Sequence, residues 1–96
     1  MNLSNEITQI ALNALNEKDL VELTKEMIRI PSLSGDETPL AEFLLDYMER
    51  AGLDVEMQHV DPTRSQPRGV LHGTSEGSSL LMNAHLDMPP VLYEWA

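Results

Sequence analysis

The chain has 96 residues, with 16 acidic side chains against 6 basic ones for a formal charge of −10, and 42% of its residues are hydrophobic. That acidity argues against nucleic acid, whose phosphates require a basic face, and against anionic membrane surfaces, while the length suits one small domain or a piece of a larger one. There is no cysteine, so a disulfide framework and a thiolate metal site are excluded and any metal must be held by histidines and carboxylates.

Met1 to Glu6 has neither the basic nor the apolar stretch of a signal peptide, and no apolar run approaches membrane length. The chain therefore reads as cytoplasmic. From Leu3 to Asn16 the spacing predicts a helix, with Ser4 as its cap, Glu6 in the first turn, and Ile7, Ile10, Ala11 and Ala14 on one thin stripe. It reads as a peripheral helix, so residues 1–16 are set apart from 17–96. A second helix is expected over Glu17 to Arg29, capped by Asn16, with Leu20, Leu23, Met27 and Ile28 opposite Glu22, Lys25, Glu26 and Arg29. Ile30-Pro31 ends it, because the residue before proline is pushed out of the helical region, and Ser32-Leu-Ser-Gly-Asp36 is a turn cluster.

The third helix has the clearest signature. Asp36 is the expected cap and Pro39 falls in the first turn, where a missing N–H is harmless. Leu40, Phe43, Leu44, Tyr47, Met48 and Ala51 follow the helical period, and Gly52 supplies the left-handed stop. The period then switches to two. Leu53 to Val60 alternates as a half-buried strand, with Leu53, Val55, Met57 and His59 on one face. His59, beside Asp61, reads as a rim residue ahead of any role as a ligand. Asp61 to Pro67 is expected to be a turn-rich loop, Arg68 to Thr74 a second strand carrying a structural His72, and Ser75 to Ser79 a hairpin-type connection.

Leu80, Leu81 and Met82 then form an apolar run, followed by Asn83, Ala84, His85 and Asp87, and by Pro89 and Pro90, which cannot donate to a ladder. The run predicts a third strand buried on both faces, with an imidazole and a carboxylate at the C-terminal end, where open α/β sheets place their ligand sites. Two residues apart on a strand, the carboxylate can reach the imidazole or something that it holds. The same residues also suit a hydrogen-bonded strand-end histidine and an aspartate that opens a turn. Three helices followed by three strands leave one face of the last strand uncovered, so the fold class expected is α/β, the N-terminal portion of a larger domain.

Three stretches in this order resemble one family. Leu20-Val-Glu-Leu, with Ile28-Arg-Ile-Pro-Ser32 and Ser34-Gly-x-Glu37, is similar to the first helix and "IPS.SG.E" turn of the zinc aminoacylases and carboxypeptidases, which include acetylornithine deacetylase, succinyl-diaminopimelate desuccinylase and glutamate carboxypeptidases. Phe43, Leu44 and Gly52-Leu53 resemble the next helix and its glycine stop. Leu80 to Pro90 resembles the "LLLNGHxDxVP" segment, with Ala84 in place of the usual Gly and Pro89 in place of the usual Val, and Trp95 falls near a position where many members carry tryptophan. The likeness runs from about Leu20 to the end.

The resemblance implies a three-layer α/β/α catalytic domain, present here as an incomplete N-terminal portion. It implies a two-zinc hydrolase of N-acyl amino acids or small peptides, with cobalt or manganese as acceptable substitutes, and it leaves a homodimeric full-length form open. The metal ligand of the motif falls on His85, and the residue that serves catalysis by supporting that ligand falls on Asp87. The family's bridging Asp and Glu-Glu pair find no counterpart, and Glu94 matches no family ligand. One matched ligand, where a catalytic zinc needs about three, implies that this chain alone does not turn over substrate. Two other readings stay open: a catalytically dead acidic interaction module that requires a partner over its apolar face, and a coding fragment with no role of its own.

Overall fold

Apolar spacing and turn chemistry together set five elements in chain order: α1 (Leu3–Ala14), α2 (Glu17–Arg29), α3 (Thr38–Arg50), β1 (Asp54–Asp61) and β2 (Arg64–Val70). The computed structural model describes residues 2–89; Met1, Pro90, Glu94 and Trp95, named above, lie outside the described residues. None of the described helices is long and apolar enough to cross a membrane.

Helices α1 and α2 are helical for local reasons. Asn2, and not Ser4, caps α1, its side chain accepting the Ser4 N–H at 2.9 Å. The asparagine lies at the extended position that a cap requires, which leaves Ser4 inside the first turn. Asn16 caps α2 as expected, accepting the Asp19 N–H at 3.1 Å, and Ile30 closes it with extended backbone ahead of Pro31. Neither helix buries a residue. Ile7 and Ile10 are exposed on α1, and only Leu23 and Met27 of the α2 stripe are half-buried.

The core lies between α3 and the hairpin of β1 and β2, with Leu40 and Ala41 fully buried and α3 packed on both strands. The end of α3 shows why it stops. The Gly52 N–H donates to the Glu49 carbonyl and the Leu53 N–H to the Met48 carbonyl, both at 3.0 Å. With Gly52 at φ 94, this is a Schellman closure, in which a residue with a Cβ would be strained. The chain then enters β1 with Leu53, Val55 and Met57 half-buried toward α3 and Asp54, Glu56 and Gln58 exposed. Gly69 makes the close approach possible, since a Cβ there would lie 2.6 Å from Met48 Sδ and 3.0 Å from Leu53 Cδ2.

Two strand expectations are corrected. The second strand starts at Arg64, not Arg68, and pairs antiparallel with β1, Asp54 opposite Val70 and His59 opposite Ser65. The expected loop over 61–67 shrinks to a tight turn at Pro62-Thr63, tied by the Thr63 N–H on Asp61 Oδ1 at 3.0 Å. Pro67 is opposite Met57 within the strand, a position open to proline because both strands of a two-stranded sheet are edges. The third strand does not form. Leu80, Leu81 and Met82 are 85%, 87% and 84% exposed, and the stretch after Val70 joins no ladder, its one isolated β-bridge among the described residues being the parallel pair of Leu33 and Met88. An apolar run specifies burial, but a strand also needs a neighbour for its N–H and C=O groups. The α/β character stands on two strands. The Cα radius of gyration, 16.6 Å, exceeds the roughly 12–13 Å of a compact domain of this length.

Candidate functional site

The turn after α2 and the segment around His85 meet, although 53 residues separate Ser34 from Asp87. The Met88 N–H donates to the Ser32 carbonyl at 2.8 Å, and the Ser34 hydroxyl donates to Asp87 Oδ2 at 2.6 Å. His85 Nδ1 lies 3.0 Å from the Asp87 backbone carbonyl and 3.0 Å from its Oδ1. Both neighbours are acceptors, so Nδ1 carries the proton and Nε2 presents its lone pair. The ring is 81% exposed and Nε2 has no hydrogen-bond partner among the described residues. This is the arrangement expected of an imidazole prepared to bind a metal through Nε2, with a carboxylate fixing tautomer and orientation.

The electrostatics follow from the same contacts. The Ser34 hydroxyl holds the Asp87 carboxyl below its ordinary range; desolvation, second in size, opposes it, and the neighbouring His85 adds to the lowering. Next to it, Glu37 is buried, yet it does not cap α3, whose N-terminus it occupies without a side-chain cap bond. The expected cap, Asp36, makes no such bond either. Glu37 Oε1 instead turns back to accept the Gly35 N–H at 2.9 Å, and the carboxylate takes Arg64 Nη2 at 3.1 Å and Nε at 3.3 Å. The Gly35 N–H is the main reason that Glu37 ionises more readily than usual, and Glu37 in turn holds the Arg64 proton, with Asp61 and Asp87 reinforcing it.

The structure thus brings His85 and Asp87 together, and adds Ser34, Glu37 and Arg64, which sequence reasoning did not assign to the site. Ser34 and Glu37 were visible in the turn motif without a role, while nothing in the sequence around Arg64 pointed here. His59 sits apart, its Nδ1 at 3.0 Å from the buried Ser65 hydroxyl. His72 gains an exposed partner, Asp54, at 3.3 Å across the hairpin.

The fit to a metal is partial. His85 offers one nitrogen, and no group of three or more His, Cys, Asp or Glu side chains poised around one ion occurs among the described residues. A catalytic zinc site needs about three protein ligands, so the described residues do not by themselves make a metal centre.

Comparisons with known proteins bear on the same segments. The chain is 32% identical over 71 residues to a peptidase M20 domain-containing protein of Schizosaccharomyces pombe, covering 72% of this chain and 18% of that protein. It is 29% identical over 82 residues to a probable carboxypeptidase of Arthroderma otae (75% of this chain, 18% of the relative) and 28% identical over 100 residues to one of Arthroderma gypseum (93% and 22%). The chain therefore spans about a fifth of the length of these curated relatives. No family model matches, and no solved structure matches. The likeness supports the M20 metallopeptidase family, a peptidase-type hydrolase family, and not any particular acylase subtype within it.

Proposed function

We propose that this sequence supplies the first metal-ligand segment of an M20-type hydrolase that cleaves amide or peptide bonds of N-acyl amino acids or small peptides. The observation that carries the reading is the His85–Asp87 pair, with Nδ1 committed to Asp87 and Nε2 open to a metal. His85 is the ligand and Asp87 the acceptor that fixes its tautomer. Zinc is the metal best suited to such a donor, with cobalt or manganese acceptable. Held by His85 together with ligands from elsewhere, such a metal would supply Lewis-acid polarisation of the scissile carbonyl and activation of a bound water. What this chain contributes is orientation: Asp87 keeps the ring from rotating, and Ser34 keeps Asp87 from turning away. One ligand does not hold a catalytic ion, so the 96-residue chain by itself does not hydrolyse such substrates.

The test is to read the coding nucleic acid past the Ala96 codon, express the whole reading frame, and measure metal per chain and hydrolysis of N-acyl amino acids and dipeptides. An acidic bridging residue, a Glu-Glu pair and a distal His are expected in the continuation. Asp87→Ala is expected to lower metal affinity or activity by about 10–100-fold, and His85→Ala by more. Full metal content and turnover in His85→Ala would overturn the assignment, and zinc-dependent turnover by the 96-residue chain would overturn its inactivity. A second reading, an acidic interaction module without chemistry, is favoured by the exposure of Leu80, Leu81 and Met82. A clean stop after Ala96, with a partner that protects those three residues, would select it.

A further inference from the structure

The side chain of Glu37 is 7% exposed, and burying a carboxylate at a helix start without using it as a cap calls for another role. Its contacts supply one. Through the Gly35 N–H, Glu37 grips a turn whose glycine lies at φ 98, a conformation that residues with a Cβ rarely adopt. Through Arg64, it ties that turn to the hairpin. The two serines of the same turn do the rest: the Ser32 carbonyl accepts the Met88 N–H, and the Ser34 hydroxyl donates to the Asp87 carboxylate. Asp87 has one carboxylate oxygen on Ser34 and the other on His85 Nδ1.

We infer that Glu37 and Arg64 are positioning residues for His85, acting through the Ser32–Gly35 turn and Asp87. Neither touches the imidazole. Glu37 sets the turn, the turn sets Asp87, and Asp87 sets which ring nitrogen carries the proton. The hairpin enters through Arg64, so one buried carboxylate links the packed part of the molecule to the turn that holds Asp87. The consequence for metal binding rests on His85 being the ligand, whereas the relay itself does not.

The experiment uses the 96-residue chain labelled with ¹⁵N, at about pH 8, where an ordinary imidazole of pKa about 6.5 is neutral. Long-range ¹H–¹⁵N spectra read the tautomer of His85, with His72 as internal reference and cross-strand contacts between His59 and Ser65 as the folding control. In the unmodified chain His85 is expected in the Nδ1–H form. Glu37→Ala is expected to abolish that preference while His72 and the hairpin contacts stay in place. Glu37→Gln, which keeps an acceptor for Gly35, is expected to restore part of it. If Glu37→Ala loses the hairpin, Arg64→Ala, at the half-exposed end of the pair, is read instead, with the same loss expected. An unmodified chain lacking the Nδ1–H preference, or an unchanged His85 in a variant that keeps its hairpin, overturns the relay. Failure of the metal assignment shows separately, as unaltered metal content in the whole-frame His85→Ala protein.

Discussion

Two parts of this chain carry similarly strong apolar signals and end in opposite states. In α3 and the hairpin, the apolar groups that face one another are covered: Leu40 and Ala41 are buried and Met57 is half-buried, while Tyr47 and Val60 on the outer faces stay exposed. In the stretch after Val70, the apolar run Leu80-Leu-Met82 stays in solvent. Hydrophobicity sets how much a segment gains from burial, while the gain is realised only where a complementary surface and unpaired backbone groups are at hand. The first part closes on itself, and the second is held by its ends, through Leu33 and Met88 and through Ser34 and Asp87.

Substitutions in the packed part should therefore dominate stability. The largest effect is expected at Leu40, 3% exposed. Leu40→Ala should destabilise the α3–hairpin unit by about 2–5 kcal/mol, read as a lowered midpoint in urea unfolding. A loss under about 1 kcal/mol would mean that the helix and hairpin are not one cooperative unit. Next is Gly69→Ala, whose Cβ meets Met48 and Leu53. Overpacking of this kind costs about 1–3 kcal/mol, and Gly69→Ala in a Met48→Ala background should recover part of it.

The boundary between the two parts is expected to respond to pH. The carboxyl of Glu37 ionises below its ordinary value of 4.5, chiefly through the Gly35 N–H, with its own backbone N–H and Arg64 adding to this against desolvation. A carboxyl whose folded pKa is depressed adds stability that is present above the unfolded value and is lost as pH falls through the folded one. Thermal stability should thus hold steady from neutral pH to about 5 and decline below it. Glu37→Gln should be less stable at neutral pH and show a flatter decline, the difference between the two curves isolating Glu37 from Asp87, which titrates in the same direction.

These contrasts track what the sequence made legible. The third helix and its glycine stop were readable because the apolar stripe and Gly52 lie within one short window, whereas the expected cap, Asp36, does not cap it. Leu53 to Val60 was readable because its alternation is local, and His85 with Asp87 because a spacing of two brings side chains together even without a strand. The start of β2 was missed because Pro62 and Pro67 suggested a loop, although an edge strand accepts a proline. Ser34 on Asp87 and His72 on Asp54 were not readable, being contacts across 53 and 18 residues that only the folded path creates. The missing third strand has the same origin: its apolar run states a preference, and no strand among the described residues pairs with it.

The smallest effect follows from that last point. Leu81 is 87% exposed and makes no packing that its removal could undo. In the 96-residue chain, Leu81→Ser should change unfolding free energy by no more than about 0.5 kcal/mol and should lower any tendency to aggregate. The same substitution in the whole reading frame separates the proposed functions. If the run becomes an interior strand of a larger hydrolase domain, Leu81→Ser should cost about 2–5 kcal/mol there, and metal content should fall with the fold. If the run is a docking surface for another protein, the variant should fold as before and lose the partner. A neutral result in both settings would leave these three residues without a burial role, and the difference between the two parts would then be one of composition alone.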